Sequence, residues 1–158
     1  MKTVGHKLEK FVVTGVKPGQ PEDAFFDITE ESFPGKWKVI VYYPKDFTFV
    51  CPTEIVAYDK LTGDFSDRDA VLLTGSTDNE FCKVAWQTAH PDLQKITHNQ
   101  FADTQRGELS LIEQLGVFYA PAGAALRATF IVDPDNVIQH VTVKIGRASC
   151  RERVCQYV

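Results

Sequence analysis

Two short, mostly apolar runs, the first of them followed by a stretch with helical spacing, constrain the fold more than any other feature of this chain. The first run spans residues 38–43 and the second spans residues 71–76. Runs of this kind are typical of strands that are buried on both faces. Between them, apolar residues recur at helix-compatible spacing, at Ile55, Tyr58, Leu61 and Phe65. This strand–helix–strand unit predicts an α/β protein.

The flanking segments add strands on both sides of this unit. Residues 11–13 and 24–28 predict a small N-terminal β-hairpin or two edge strands, because Gly and Pro residues lie between them. Residues 128–132 and 137–143 predict two more strands around a turn at residues 133–136. A weaker signal predicts a short strand around residues 100–102.

Two further helices complete the expected pattern. Asp78 or Asn79 can cap a helix that stops before Pro91 and carries Phe81, Val84, Ala85 and Trp86. Asp103 or Thr104 can cap another, which ends at Gly116 and has apolar positions Leu109, Ile112 and Leu115. We therefore expect a mixed central sheet with helices on both faces and an N-terminal β extension.

Composition limits the classes of function. The 158 residues are 44% hydrophobic with a net charge of −4, which suits one domain with a substantial core. No cluster of Lys and Arg predicts a nucleic-acid surface, and no apolar run is long enough to span a bilayer. Residues 1–6 lack the apolar core of a signal peptide, so we expect a cytoplasmic protein. Neither the four cysteines nor the four histidines have metal-ligand spacing, and we expect no metal or organic cofactor.

Cys51 has the sequence context of a reactive thiol. It follows the first apolar run and opens the helical stretch, with Pro52 at a predicted first helical position. Helix N-termini and nearby cations favour the thiolate, which is the nucleophilic form of cysteine. Thr48 can place a hydroxyl beside the sulfur, and Pro44 can cover one side of it. The pattern predicts nucleophilic chemistry at Cys51.

Three blocks of sequence resemble the peroxiredoxin family. Pro44, Thr48 and Cys51 fit its Pro-x-x-x-Thr-x-x-Cys signature, and residues 47–54 resemble the alkyl hydroperoxide reductase C branch, the typical two-cysteine type. Residues 127–134 are similar to the family's Arg-x-Thr-Phe-Ile-x-Asp strand, and Trp86 lies in a stretch similar to the helix after its third strand. The resemblance implies a thioredoxin-like fold and a thiol-dependent peroxidase that reduces hydrogen peroxide and organic hydroperoxides through a cysteine sulfenic acid.

The resemblance also implies roles for individual residues. Cys51 is the peroxidatic cysteine, and Arg127 stabilises its thiolate and the charge on the leaving oxygen. Thr48 bonds to the thiolate and the peroxide, while Pro44 shields the sulfur from water. Glu54 either holds a network around Arg127 or complements the helix dipole. Trp86 is expected to pack in the core and could also line the pocket.

Turnover needs a second thiol, because a sulfenic acid condenses with a thiol to give a disulfide. In the typical two-cysteine branch this thiol lies on a C-terminal arm of a partner subunit, and no resolving cysteine is expected in this chain. A small thiol, a thioredoxin-like protein or a dedicated disulfide reductase would then be the electron donor. Family members form homodimers or rings of dimers, here expected through the edge strand at residues 137–143. Cys82 is interpreted as structural or as part of a subunit contact.

The last residues predict a non-native tail. Residues 144–154 back-translate into a string that matches a common short-read sequencing adaptor, and the apolar alternation stops there. We therefore expect a peroxiredoxin domain over residues 1–144, incomplete at its C-terminus, and a tail over residues 145–158. Cys150 and Cys155 would then have no evolved role.

Two other functions remain open from the sequence. A thiol–disulfide oxidoreductase on the same fold would need Cys-x-x-Cys, whereas Glu54 occupies the second cysteine position. A scaffold or holdase chaperone is the alternative from a different class. Aggregation suppression that survives Cys51→Ser would favour it.

Overall fold

A seven-stranded mixed sheet organises the protein in the computed structural model, which describes residues 1–144. Its strands are β1 (Val12–Val16), β2 (Phe25–Thr29), β3 (Trp37–Tyr42), β4 (Ala70–Ser76), β5 (Asn99–Ala102), β8 (Arg127–Val132) and β9 (Ile138–Lys144). A separate two-stranded sheet is made by β6 (Phe118–Tyr119) and β7 (Ala124–Ala125). The sequence did not predict this small sheet, because its strands are only two residues long and lie beside Pro121 and Gly123.

The helices are α1 (Cys51–Asp59), α2 (Thr62–Ser66), α3 (Glu80–Ala89) and α4 (Leu111–Leu115). Short 3₁₀ turns occupy Pro21–Asp23, Leu93–Lys95 and Ala120–Ala122. In the large sheet the strand order is β2-β1-β5-β4-β3-β8-β9. The central strands β3, β4 and β5 are parallel, and the outer pairs are antiparallel. The predicted mixed sheet is confirmed, and the N-terminal hairpin joins it because β1 also pairs with β5.

Both faces of this sheet are covered. Successive side chains of a strand point to opposite faces. Ile40 and Tyr42 of β3 belong to the cluster that contains the apolar residues of α4. Val39 and Val41 pack instead with Phe65 of α2. The predicted helices on both faces are therefore confirmed.

The long helix predicted after Cys51 is in fact two helices. α1 ends at Asp59, and Leu61 has φ −92° and ψ 0°, outside the helical region, before α2 begins. The Asp59 carboxylate accepts hydrogen bonds from the backbone N–H groups of Thr97 and His98 at 2.8 and 3.2 Å. This tie to the segment before β5 fixes the end of α1 against the sheet.

The cap predicted for α4 was wrong. Ser110, not Asp103 or Thr104, accepts the hydrogen bond from Glu113 N–H, and the helix is only five residues long. The carboxylate of Asp103 is buried and accepts bonds from the Tyr42 hydroxyl and from Ile112 N–H. Burial raises the pKa of Asp103. Its side chain is therefore committed to tertiary contacts and cannot cap the helix, whereas Gly116 ends α4 with φ 70°, as predicted.

The cap and the end of α3 agree with prediction. The Asn79 side chain accepts a hydrogen bond from Cys82 N–H at 2.8 Å, and the helix stops at Ala89. The buried face differs from the apolar positions in the sequence. Trp86 is buried, but Phe81 is 66% exposed, and the other buried residues of α3 are Lys83 and Gln87.

The predicted tail at residues 145–158 lies outside the described residues. Among residues 1–144, no helix has the length and apolar character needed to cross a bilayer.

Candidate active site

Cys51 lies at the start of α1, after the connection that follows β3. Residues 43–50 connect the two elements, and Cys51 is the first helical residue. Pro52 is therefore the second helical residue, one position later than predicted, where its missing N–H still removes no intrahelical bond. No side chain caps this end of α1, so its free N–H groups and the positive end of the helix dipole lie beside the cysteine. The Cys51 side chain is only 3% exposed.

Strand register explains how Arg127 reaches Cys51 from 76 positions away. β3 and β8 pair antiparallel, with Tyr42 opposite Ala128. Arg127 thus lies at the end of the sheet from which the chain leaves towards Cys51. Its Nη2 donates to Cys51 Sγ at 3.6 Å, a normal distance for a sulfur acceptor.

Glu54 fixes the other edge of the guanidinium. Its Oε2 accepts a hydrogen bond from Arg127 Nε at 2.8 Å. Glu54 lies in the first turn of α1, three residues after Cys51 and therefore on nearly the same side of the helix. The Arg127 and Glu54 side chains are 15% and 22% exposed, so solvent still reaches the pair. Of the two roles predicted for Glu54, this contact favours the network around Arg127.

Thr48 is near the site but is oriented differently from the prediction. Its hydroxyl donates to the Lys45 carbonyl oxygen at 3.3 Å, and the structure forms no bond from it to Cys51. A local carbonyl three residues back competes for such a hydroxyl. Pro44 is half-buried at the start of the same connection.

Trp86 is part of a buried cluster near the start of α1. It is 2% exposed, and its ring centroid lies 6.0 Å from that of Tyr43 and 5.8 Å from that of Phe47. Cys51 belongs to the same cluster. Trp86 is thus a core residue in the cluster that contains Cys51.

A comparison with known families gives this arrangement an identity. The model of the AhpC/TSA family matches residues 4–141. The chain belongs to this family. Alkyl hydroperoxide reductase C of Mycolicibacterium smegmatis is 43% identical over 152 residues, which cover 91% of this chain and 76% of the relative. The human mitochondrial thioredoxin-dependent peroxide reductase is 35% identical over 127 residues, covering 78% of this chain and 50% of the relative.

Solved structures agree with the sequence comparison. The Mycobacterium tuberculosis AhpC structure superposes with a TM-score of 0.85 at 40% identity, covering 99% of this chain and 94% of that one. The predicted thioredoxin-like fold is confirmed, and so is the resemblance to peroxiredoxins. The protein is an enzyme, a thiol-dependent peroxidase.

One buried polar group of this peroxiredoxin was not predicted. Lys83 is fully buried, and its Nζ lies 3.1 and 3.2 Å from the two carboxylate oxygens of Asp46. The same Nζ donates to Ser76 Oγ at 2.8 Å and to the Tyr43 hydroxyl at 3.2 Å. Burial lowers the pKa of Lys83 and raises that of Tyr43 well above its ordinary value. A lysine three residues before Trp86 on the same helix was the available signal, because that spacing places both on one face.

A cleft of about 630 Å³ opens beside the guanidinium, between α1 and the outer strands β8 and β9. Arg127 and Glu54 line one part of it, and the apolar side chains of Phe49, Val50 and Val56 line another. The site therefore has a polar rim next to an apolar surface.

Over residues 1–144, no group of three or more His, Cys, Asp or Glu side chains is placed to hold a metal ion.

Proposed function

We propose that Cys51 reduces hydrogen peroxide and organic hydroperoxides by direct attack. The thiolate sulfur bonds to one peroxide oxygen, the O–O bond breaks, and the other oxygen leaves as hydroxide or alkoxide. Cys51 then carries a sulfenic acid, so the sulfur is oxidised and the peroxide is reduced. The observation that carries this proposal is the Arg127 guanidinium at 3.6 Å from Cys51 Sγ, at an uncapped helix start.

Arg127 supplies positive charge in both stages of the reaction. Before attack, its guanidinium stabilises the thiolate, and during attack it can donate to the oxygen on which charge develops. A guanidinium stays protonated and offers several donors in fixed geometry. Glu54 holds the Nε edge, so the Nη2 edge faces the sulfur. Glu54 is therefore proposed as a positioning residue for Arg127.

Thr48 and Pro44 are proposed to shape the space around the sulfur. The Thr48 hydroxyl would turn from the Lys45 carbonyl to the bound peroxide, which exchanges one hydrogen bond for another at a cost of about 1 kcal/mol or less. Pro44, half-buried beside Tyr43, would keep bulk water away from the sulfenic acid.

We further propose a disulfide reductant of the thioredoxin type or a dedicated disulfide reductase, since a human relative is named as thioredoxin-dependent. The other cysteine among the described residues, Cys82, is partly buried on α3 and is proposed as structural or as part of a subunit contact. β9 lies at the edge of the sheet, and its backbone offers the pairing surface for a homodimer that could build rings. A cytoplasmic location is part of the same proposal.

Site-mapped trapping of the sulfenic acid tests the function. Reduced protein receives one equivalent of hydrogen peroxide with a carbon-acid trap and is then digested for mass spectrometry. We expect the label on Cys51 well ahead of Cys82, Cys150 and Cys155. The matched variants are Cys51→Ser, which should abolish peroxide consumption, and Cys82→Ser, which should retain it. Equal labelling of all cysteines in the wild-type chain would contradict the proposal.

A further inference from the structure

The segment that carries Cys51 is tied to α3 by a fully buried ion pair. We call residues 44–50 the Cys51 segment. Asp46 lies in its middle, and its carboxylate is 3.1 Å from the Lys83 ammonium, with side-chain exposures of 3% and 0%. Asp46 Oδ1 also accepts a bond from Ser76 Oγ at 2.9 Å. The pair is therefore enclosed and hydrogen-bonded on several sides.

A fully buried ion pair is unusual in a protein core. Taking two charges out of water costs free energy that the mutual attraction only offsets when the geometry is good and other bonds are satisfied. Lys83 meets that condition through Asp46, Ser76 and Tyr43. Among the described residues, the hydrogen bonds of Lys83 and Asp46 go to groups other than Cys51, so the proposed chemistry gives them no direct role. Their shared feature is that they bind the Cys51 segment to the rest of the fold.

Other contacts hold the segment at the same place. The backbone N–H of Asp46 donates to Asp78 Oδ2 at 2.7 Å. The next residue, Phe47, packs its ring on Trp86 and has φ 54°. A left-handed conformation at a bulky residue persists only where the surroundings impose it. Lys83 and Trp86 lie on one face of α3, so that face holds two consecutive residues of the segment.

We propose that the Lys83–Asp46 ion pair is a positioning element for the peroxidatic cysteine, which holds the Cys51 segment in the conformation that aligns Cys51 with Arg127. This inference rests on the proposed function of Cys51. Lys83 is a positioning residue, because it acts through Asp46 and the segment. Without the pair, the segment loosens, Cys51 spends less time beside the guanidinium, and its sulfur becomes accessible.

The test uses Lys83→Met, which keeps most of the length of the side chain and removes its charge. We expect its second-order rate with hydrogen peroxide to fall on the order of 100-fold, because small misplacements of a reacting group have effects of this size. Hydrogen exchange supplies a readout that does not depend on activity. The Asp46 amide, which donates to Asp78 Oδ2, should lose protection by at least about tenfold more than the amides of the central strand β4.

Lys38→Met is the matched control. Lys38 is also a buried lysine, at 3% exposure, but it bonds to Asn136 at the far end of β3. It should leave both the peroxide rate and the protection of the Cys51 segment unchanged. The double variant Asp46→Asn/Lys83→Met removes both charges and still lacks the pair, so its rate should stay well below that of wild type.

Each outcome decides the proposal. A Lys83→Met rate equal to wild type, protection lost evenly across the fold, or the same pattern in Lys38→Met would overturn it. A double variant that reacts as fast as wild type would also overturn it, because the segment would then be held without the pair. If Lys83→Met does not fold, Asp46→Asn provides a milder test and should show the same local loss of protection. A wild-type chain without Cys51-dependent peroxide reduction would defeat the proposed function instead, while the exchange data would still decide whether the pair holds the segment.

Discussion

Two ion pairs flank Cys51, and they differ in access to water. Arg127 and Glu54 are 15% and 22% exposed, and Arg127 donates directly to the sulfur. Lys83 and Asp46 are 0% and 3% exposed, and their contacts reach the Cys51 segment through Asp46 and the buried cluster of Cys51 through Tyr43. A pair near solvent can exchange partners as charge develops on a substrate, whereas a buried pair cannot do so without a large desolvation cost. Accessibility therefore separates the pair that we propose to act in the chemistry from the pair that we propose to hold the Cys51 segment.

The largest effect on stability should come from the buried pair. Lys83→Met leaves the Asp46 carboxylate buried without its cation, and we expect a loss of about 3 kcal/mol or more in the free energy of unfolding. Urea denaturation followed by circular dichroism measures it. Lys17→Met, in the exposed pair with Asp23, is the control and should leave the midpoint unchanged. Equal midpoints for both variants would show that the buried pair stabilises the fold no more than the exposed pair does.

The largest effect on chemistry without a matching loss of stability should come from Arg127. Arg127→Ala should slow peroxide reduction about 100-fold, equivalent to about 3 kcal/mol in the barrier, because a donor aimed at developing charge is lost. Its unfolding free energy should change by about 1 kcal/mol or less, since the pair is partly exposed. Stopped-flow tryptophan fluorescence measures the rate, with Trp86 packed against the site as reporter. Arg127→Lys keeps the positive charge but loses the planar guanidinium, so its rate should lie between those of wild type and Arg127→Ala. A rate for Arg127→Ala equal to that of wild type would contradict the assignment.

The hydrogen-bonded pair of Asp59 and His98, at the far end of α1, should have a smaller and pH-dependent effect on stability. Burial alone would raise the pKa of Asp59, but hydrogen bonds from His98 and from Thr97 N–H outweigh it and hold the pKa at about 2. A depressed carboxyl pKa stabilises the fold above the unfolded-state value near 3.8, and this stabilisation is lost as the pH falls towards about 2.

The variant Asp59→Asn should therefore be less stable than wild type by about 1 kcal/mol near neutral pH, a value reduced for solvent screening. The gap should close from about pH 4 downwards. Urea midpoints of both proteins across this range test the sign. A gap that widens on acidification would show that the carboxylate does not stabilise the fold.

The smallest effect should come from Glu54. Glu54→Gln can still accept a hydrogen bond from Arg127 Nε but loses its charge, and we expect the peroxide rate to fall only about threefold. Glu54→Ala, which frees the guanidinium edge entirely, should slow the reaction further. If the two variants react equally fast, Glu54 does not position Arg127 and complements the helix dipole instead.

Local sequence patterns predicted the parts of the fold that depend on local physics. The apolar runs located β3 and β4, Asn79 capped α3, and Gly116 ended α4. The cap of α4 was predicted wrongly because the Asp103 carboxylate accepts a hydrogen bond from the hydroxyl of Tyr42, which lies 61 positions away. No pattern within a short window contains that contact.

The candidate site likewise contains residues that the sequence predicted and residues that it did not. Cys51 and Arg127 were identified by motif, and the structure brings them together. Lys83 was missed because a lysine in a helix usually faces solvent, and its partners Asp46 and Ser76 come from two other elements. The Thr48 hydroxyl could not be oriented from sequence, because the competing Lys45 carbonyl is defined only by the turn of the backbone.

The pairing of β3 with β8 also determines the stage of folding at which Arg127 and Cys51 come together. Arg127 is synthesised 76 residues after Cys51, and its contact with the sulfur requires closure of a long-range strand pair. Such contacts form slowly, because the chain must close a large loop first. A shift of one residue in this pairing would turn Arg127 to the opposite face of the sheet. A nascent or misregistered chain therefore carries a cysteine without its guanidinium, and full reactivity towards peroxide marks a chain that has finished folding.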